Sequence, residues 1–422
     1  MSGGSILIRQ AELDGVPSDL LIEGGRFRSI APSLDVRADR VIDGRGMAVV
    51  PSFYNTHTHA AMTLLRGYAD DLELFPWLNE YIWPMEAKFT GDDIYLGTRL
   101  AALEMIKSGT VFFNDMYWFQ PDAARAVEEM GLRAALGLLF LEAGTDEVRA
   151  RNRRCNEELL SLRGSGSGRI LVTCAPHSIY TVSGPTLEEA AELAVREDLP
   201  IHIHLAETER EVEECRAAHG GMTPVEWIDK LGLLTPKTIL AHAVHLTDAD
   251  IERIRERGAV IAHMPNSNRK LCSGQFRFHA VSDCAGCRVT LGTDGCASNN
   301  SLSMFSEMKA AALGAKTESM LPTAGRDEEI FRAATRNGAE AFGLDAGVIA
   351  PGKLADALLI DLAAPFLVGD YHLTSNLVYA ADSSCVDTVI CDGRILMEHR
   401  RVPGEREIVE EARRCCRRLA AQ

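Results

Sequence analysis

The sequence predicts a TIM-type (β/α)8 barrel with a small, discontinuous β-sandwich domain formed by both chain ends. Three observations lead there. The chain has 422 residues, two to three times an ordinary domain, which suits one large α/β barrel with an accessory unit. Eight apolar, strand-like runs alternate with helical patterns through the middle. Hairpin texture is confined to the two ends.

The N-terminal texture begins at Ile6-Leu7-Ile8 and continues through Asp19-Leu20-Leu21-Ile22-Glu23, a Gly24-Gly25 turn and Arg26-Phe27-Arg28-Ser29-Ile30. Short β-rich runs punctuated by glycine read as hairpins. The barrel runs are residues 48–55, 110–115, 133–140, 170–175, 200–205, 238–242, 259–264 and 289–292, with helical patterns such as 92–107, 187–196 and 248–257 between them. Such alternation is the mark of a parallel sheet with crossover helices. Gly164-Ser165-Gly166-Ser167-Gly168 reads as a flexible loop. Hairpin texture returns at Asp356-Ala357-Leu358-Leu359-Ile360 and from Val386 to Met397, around Asp392-Gly393. Neither end has enough strands to bury a face alone, so the two pair. The expected units are 1–50 and 349–422 for the β-domain, the latter with a terminal helix, and 51–348 for the barrel.

Acidic residues exceed basic ones by 60 − 44 = 16. That surface repels phosphate backbones and anionic lipid, which argues against nucleic-acid and membrane partners and for a small-molecule substrate. No run approaches the roughly 18–20 apolar residues of a bilayer span. Eleven cysteines without the spacing of a disulfide framework, and no leader ahead of Ile6, point to a reducing cytoplasm. Cys284 and Cys287 have the spacing of half a zinc knuckle but no second pair, and read as reduced thiols in a turn.

Polar residues carry the functional signal, because nearly every apolar run ends in a group able to bind a metal or move a proton. In a barrel these ends share the rim where active sites lie. The first run ends in His57-Thr58-His59, and the i, i+2 spacing turns both rings to one side of a strand. In the fifth, Ile201, Ile203 and Leu205 face the helices while His202 and His204 face inward; His204 is the better ligand and His202, one layer deeper, makes a hydrogen bond. Glu207 lies just past that strand, placed to shuttle a proton. His242, His245, His263 and Asp294 close the later runs. Singly, each is an ordinary satisfied polar side chain. Together at successive strand ends they point to a metal-dependent site.

These residues resemble those of the amidohydrolase superfamily, in its cytosine deaminase and chlorotriazine hydrolase branch. The shared motifs are residues 51–59, Met62-Thr63-Leu64-Leu65-Arg66-Gly67, Pro176-His177-Ser178, His204-Leu205-Ala206-Glu207, Ala241-His242-Ala243-Val244-His245, Pro265-Asn266-Ser267-Asn268 and Leu291-Gly292-Thr293-Asp294-Gly295. The resemblance implies that His57, His59, His204 and Asp294 bind one divalent metal ion, Zn²⁺ first, with Fe²⁺ or Mn²⁺ suited to similar ligands. Residues 170–177 contain no lysine, the bridging group of two-metal branches, so the site reads as mononuclear. The implied reaction is hydrolytic deamination of an amino-heterocycle. Asp294 accepts a proton from the attacking water, Glu207 protonates the ring nitrogen, and His242 orients the water or stabilises charge.

Residues 62–86 are further similar to 5'-methylthioadenosine and S-adenosylhomocysteine deaminases. That likeness implies that Glu86 binds both ribose hydroxyls, that His177 contacts the nucleoside, and that the protein is a homo-oligomer, dimer or tetramer. An arginine for the homocysteine carboxylate is expected between 144 and 168, where Arg149, Arg151, Arg153 and Arg154 stand; Arg149 is the one named. If none reaches the pocket, methylthioadenosine or adenosine becomes the better substrate. Guanine, 8-oxoguanine, chlorotriazine or melamine as substrate, cyclic-amide hydrolysis and a metal-free structural relative are the alternatives.

Overall fold

The computed structural model describes residues 4–142, 144–369 and 371–421. Eight parallel strands run in barrel order: Phe53–Thr58, Thr110–Asp115, Arg133–Phe140, Ile170–Pro176, Ile201–Leu205, Thr238–His242, Val260–His263 and Arg288–Leu291. Nearly all their residues are buried, as expected of a parallel sheet covered by helices. The last strand meets the first through an extension of its chain. Thr293 N and Asp294 N both donate to His57 O, at 3.1 and 3.0 Å, and Thr56 Oγ1 donates to Leu291 O at 2.9 Å.

The helices between strands begin where the sequence supplies caps. Gly91–Lys107 and Asp248–Arg257 start at Thr90 and Thr247, each in a reciprocal capping box with the aspartate three residues on, which satisfies otherwise orphaned backbone donors. The terminal helix, Glu405–Ala420, packs on the barrel helix Gly91–Lys107 through the Arg99–Glu411 ion pair at 2.6 Å and an Arg418–Asp93 pair.

The chain ends form one hydrogen-bonded sheet. Its path runs Arg394–Met397, Val386–Cys391, Ala357–Asp361, Met47–Pro51, Ile6–Leu13, Val16–Glu23, Arg26–Ala31, with Arg40–Asp43 added on Ile6–Leu13. Ala357 pairs with Pro51 and Asp361 with Met47 in antiparallel register. Alternation along these strands splits the sheet between two cores. Val49, Ala357, Leu359 and Ile390 enter the sheet's own cluster, whereas Ala48, Val50, Leu358 and Val389 join the barrel core. The run 48–55, expected as one strand, is therefore two: it leaves the sheet at Pro51 and re-enters a strand at Phe53. Tyr54, the next residue along, donates its hydroxyl to Asp356 Oδ2 at 2.5 Å, tying the first barrel strand to the C-terminal segment.

Gly164 to Gly168, expected as a flexible loop, form a tight turn in which Gly164, Gly166, Ser167 and Gly168 take positive φ. All eleven cysteines are unpaired, and no helix among the described residues is long and apolar enough to cross a membrane.

Gly292 sits at the closing seam, where an added Cβ would lie 2.8 Å from both His57 N and His57 O. Backbone cannot yield as a flexible side chain does. Gly292→Ala is expected to lower stability by about 1–3 kcal/mol, read from urea unfolding, and a change within error would show that the seam is slack.

Candidate metal centre and active site

His57 is the fifth residue of its strand and His59 follows that strand's end; His204 is the fourth residue of Ile201–Leu205, and Asp294 lies three past Leu291. Their atoms converge. His57 Nε2 and His59 Nε2 lie 3.4 and 3.3 Å from Asp294 Oδ1, and His59 Nε2 lies 3.3 Å from His204 Nε2. The donor atoms of His57, His59 and His204 all fall within 4.8 Å of one another, as do those of His57, His242 and Asp294.

The far side of each ring explains the convergence. His59 Nδ1 is 2.6 Å from Met116 O and His204 Nδ1 is 2.7 Å from His177 O. A carbonyl only accepts, so both Nδ1 atoms carry a proton and, when the rings are neutral, both Nε2 atoms present bare lone pairs. Two lone pairs 3.3 Å apart repel unless a cation lies between them. His57 Nδ1 is held 2.8 Å from His202 Nε2, the deeper hydrogen bond expected of His202, and the buried His57 Nε2 has no hydrogen-bond partner. Ligand atoms about 2.0–2.1 Å from a tetrahedral ion stand about 3.3–3.4 Å apart, the spacing found here. The donor set therefore fits one divalent metal.

The acidities of these groups follow the same demand for positive charge. Burial alone would depress His59, but Asp294 outweighs it and raises the ring to about 9, so in the ion's absence a proton on Nε2 supplies the positive charge that a cation supplies when bound. Burial likewise opposes ionisation of Asp294, yet the His57 and His59 rings hold it well below the usual carboxylate range. Burial pushes His57 down to about 4, and His202 and His204 well below their ordinary value.

Neighbouring groups fix Asp294 and the turn after His59. Asp294 Oδ2 accepts from Ser267 Oγ at 2.6 Å and Ser298 Oγ at 3.0 Å, leaving Oδ1 to face the histidines. Asp115, at the end of the second strand, accepts from Ala60 N at 2.7 Å and holds the turn after His59. Asp294, His242 and Ala206 adopt φ of 61°, 71° and 51°, a left-handed conformation that L-residues hold only where the surroundings enforce it.

Above the cluster, Glu207 Oε2 lies 3.6 Å from His242 Nε2, and Ser273 Oγ donates to Glu207 Oε1 at 3.0 Å. Burial raises the Glu207 carboxyl, which favours holding a proton. Glu211 accepts from Ala206 N and Glu207 N, both at 2.9 Å, and so sets the backbone of the strand end. His242 Nδ1 lies 2.7 Å from Asn268 Oδ1, which leaves Nε2 as the atom facing Glu207. Glu86 is buried, its acidity weakened by desolvation. Trp118 Nε1 donates to Glu86 Oε2 at 3.4 Å and the Tyr117 hydroxyl lies against the same carboxylate, while Oε1 has no partner at hydrogen-bond geometry. His177 Nδ1 lies 2.9 Å from Thr181 Oγ1, and burial lowers this ring to about 3, keeping it neutral.

His59, Glu86, His177, His204, Glu207, His242 and Asp294 share one cleft, with His57 on its floor. Arg149 does not reach it. That guanidinium pairs with Asp146 and donates to Gly144 O at 2.7 Å, on the surface. Arg151 stacks 4.4 Å from the Phe119 ring, and Arg153 and Arg154 are exposed. His245 donates toward Ser273 O at 2.6 Å, and His263 stacks on Phe276 at 4.3 Å; neither joins the cluster. Sequence reasoning missed Tyr117, Trp118 and Tyr180 in the cleft wall, and gave no role to Ser267 and Asn268 although it quoted their motif.

Elemental analysis is expected to find one divalent ion per chain. His204→Ala should abolish stoichiometric binding, and His202→Ala, which removes only the partner of His57 Nδ1, should weaken affinity about 10- to 100-fold in chelator competition. Unchanged affinity in both would show that this cluster does not hold the ion.

The amidohydrolase family model matches residues 48–396. The chain is 46% identical to the 5-methylthioadenosine/S-adenosylhomocysteine deaminase 1 of Archaeoglobus fulgidus, over 98% of this chain and 99% of that protein. It is also 46% identical to the 5'-deoxyadenosine deaminase of Methanothermobacter thermautotrophicus, over 97% and 96%. Among solved structures, the zinc-bound adenosine deaminase of Xanthomonas campestris superposes with a TM-score of 0.91 at 33% identity, covering 99% of this chain and 98% of that one. With its fold, its strand-end ligands and these relatives, the chain belongs to the amidohydrolase family.

Proposed function

We propose that this chain is a metal-dependent aminohydrolase that converts an adenosine-type nucleoside to its inosine form with release of ammonia. One observation carries the reading: the buried Glu86 carboxylate, with one oxygen free, shares a cleft with the His57, His59, His204 and Asp294 cluster and with Glu207 and His242. A vicinal diol suits a free, desolvated carboxylate oxygen, and the other groups suit hydrolysis at a ring carbon. The deaminase names of the 46%-identical relatives support the same choice.

His57, His59, His204 and Asp294 would hold the ion, for which zinc is the choice, in keeping with their N/O character and the zinc-bound relative. A divalent metal there supplies Lewis acidity, bringing the pKa of water from ~15.7 toward ~7. Asp294 takes a proton from the attacking water. Glu207, whose burial favours the protonated form, donates to the ring nitrogen beside the attacked carbon. His242, its tautomer set by Asn268, orients the water and stabilises developing charge. Proton return to the exocyclic nitrogen lets the carbon–nitrogen bond break, and ammonia leaves.

In this reading the barrel comprises residues 51–348 and the β-domain 1–50 with 349–422. We also keep a cytoplasmic homodimer or homotetramer as the form at work; the unpaired thiols suit a reducing compartment, and light scattering tests the assembly.

Ammonia release should fall about 10²- to 10⁴-fold in Glu207→Gln and in Asp294→Asn, with circular dichroism unchanged; full activity in either would defeat the mechanism. Because burial raises the Glu207 carboxyl, the proton-donating form persists to a higher pH than an exposed glutamate allows. Activity is then expected to decline on the alkaline side as that proton is lost, a limb absent from Glu207→Gln. Glu86→Ala should cost about 10- to 100-fold in kcat/KM on nucleosides and leave the free base adenine unaffected. Equal losses on both would remove the ribose role.

A further inference from the structure

We infer that a second cavity, of about 340 Å³, binds a small organic oxyanion with a flat apolar body, and that Asn268 relays its occupancy to His242. The volume lies within the range of small-molecule sites. The relay rests on the deaminase reading above; the anion site does not.

The cavity is walled by the end of the strand Val260–His263, by the turn of helix Pro265–Lys270 and by the helix Met304–Ser319. Its buried polar groups are left without acceptors. Asn268 is 2% exposed, and its Nδ2 has no partner because Oδ1 is the atom that faces His242 Nδ1. Burial lowers His263 to about 3 and keeps it neutral; such a ring retains one N–H, yet its buried Nδ1 has no partner. Arg269 supplies a guanidinium to the same wall. A Cβ at Gly314 would overlap Arg269 Nη2, so that glycine makes the room in which the fork lies. Glu307 is the carboxylate that bears on its charge, but Glu307 Oε1 already accepts from Asn266 and Asn299, both at 2.7 Å. Among the described residues no aspartate or glutamate lines the cavity, in a chain whose acidic residues outnumber its basic ones. Unpaired buried donors are costly, and a carboxylate or phosphate group answers them together with the planar guanidinium. Phe276, Phe278 and Leu313 form the apolar wall, with the His263 ring stacked 4.3 Å from Phe276, which suits a flat body behind the charge. Nδ2 and Oδ1 of Asn268 belong to one conjugated amide. An anion accepting from Nδ2 makes Oδ1 the stronger acceptor, tightening its hold on the ring whose Nε2 faces Glu207.

The test is titration calorimetry of the metal-loaded protein with benzoate, with phenyl phosphate and with neutral benzamide. At least one of the two anions should bind saturably, and benzamide at least about tenfold more weakly. Arg269→Gln should weaken the anion at least about tenfold. Gly314→Ala, a change that suits a helix interior but displaces the guanidinium, should do the same. Absence of saturable anion binding, or binding that both variants leave unchanged, as an anion seated on the metal would, overturns the inference. The relay is read from ammonia release with saturating adenosine. The tighter-binding anion should raise kcat about two- to fourfold in the native protein and leave it unmoved in Arg269→Gln, whose kcat without the anion stays at the native level. An unmoved kcat in the native protein, or an anion that acts only by competing with adenosine, overturns the relay. Intact anion binding in a protein that deaminates no nucleoside overturns the deaminase reading instead and leaves the anion site standing.

Discussion

Two imidazole Nε2 atoms facing each other at 3.3 Å, both bare when the rings are neutral, are the constraint around which the site is organised. Neither ring can turn away. Met116 O and His177 O each claim an Nδ1 proton, and the two carbonyls belong to chain immediately following the second and fourth barrel strands. The backbone thus converts neutral histidines into a concentrated source of negative potential, and Asp294 adds a full charge to it. A cation at that point relieves the repulsion, so metal affinity is written into the hydrogen bonding of groups that never touch the ion.

The positions that follow inherit this arrangement. Asp294 reaches the histidines only because the last strand extends past Leu291 and bonds back to His57 O, which makes barrel closure and ligand placement one event. Its left-handed backbone, like that of Ala206 and His242, re-aims a strand end toward the axis where an extended residue would continue past the rim. The conformational cost of about 1 kcal/mol or more at each such residue is offset by the bonds that Asp294 accepts from Ser267 and Ser298, that Ala206 donates to Glu211 and that His242 makes with Asn268.

Strand positions and the inward-facing histidines were legible because a buried parallel strand ending in a polar residue is a strong local pattern. Alternation told His202 from Ile203 without any three-dimensional information. What local pattern cannot report is which body a strand serves. Residues 48–54 are apolar but for Ser52, yet Val50 and Phe53 lie in different sheets, because hydrophobicity is the same on either side of Ser52. Arg149 shows a second blind spot: it sits in the first turn of the helix Asp146–Ser161, and Asp146 three residues before it captures the side chain by simple proximity. His245 and His263 stand at strand ends and face elsewhere, which only the twist of the sheet decides. Trp118 carried no signal, since its importance lies in a contact with Glu86 from a separate segment.

The junction at Ser52 has a bearing on how the protein is made. Met47–Pro51 pairs with Ala357–Asp361, and Tyr54, three residues before His57, is bonded to Asp356. A ribosome releases the first ligand-bearing strand long before it releases this anchor. Until then the N-terminal sheet has an open edge at Met47–Pro51, the kind of edge that invites pairing with a foreign strand. Synthesis of the complete barrel sequence is therefore not completion of the barrel's foundation. The nascent chain carries His57 and His59 on an unfinished support until the C-terminal strands arrive, and the span most exposed to misassembly is the one that leads directly into the histidine cluster.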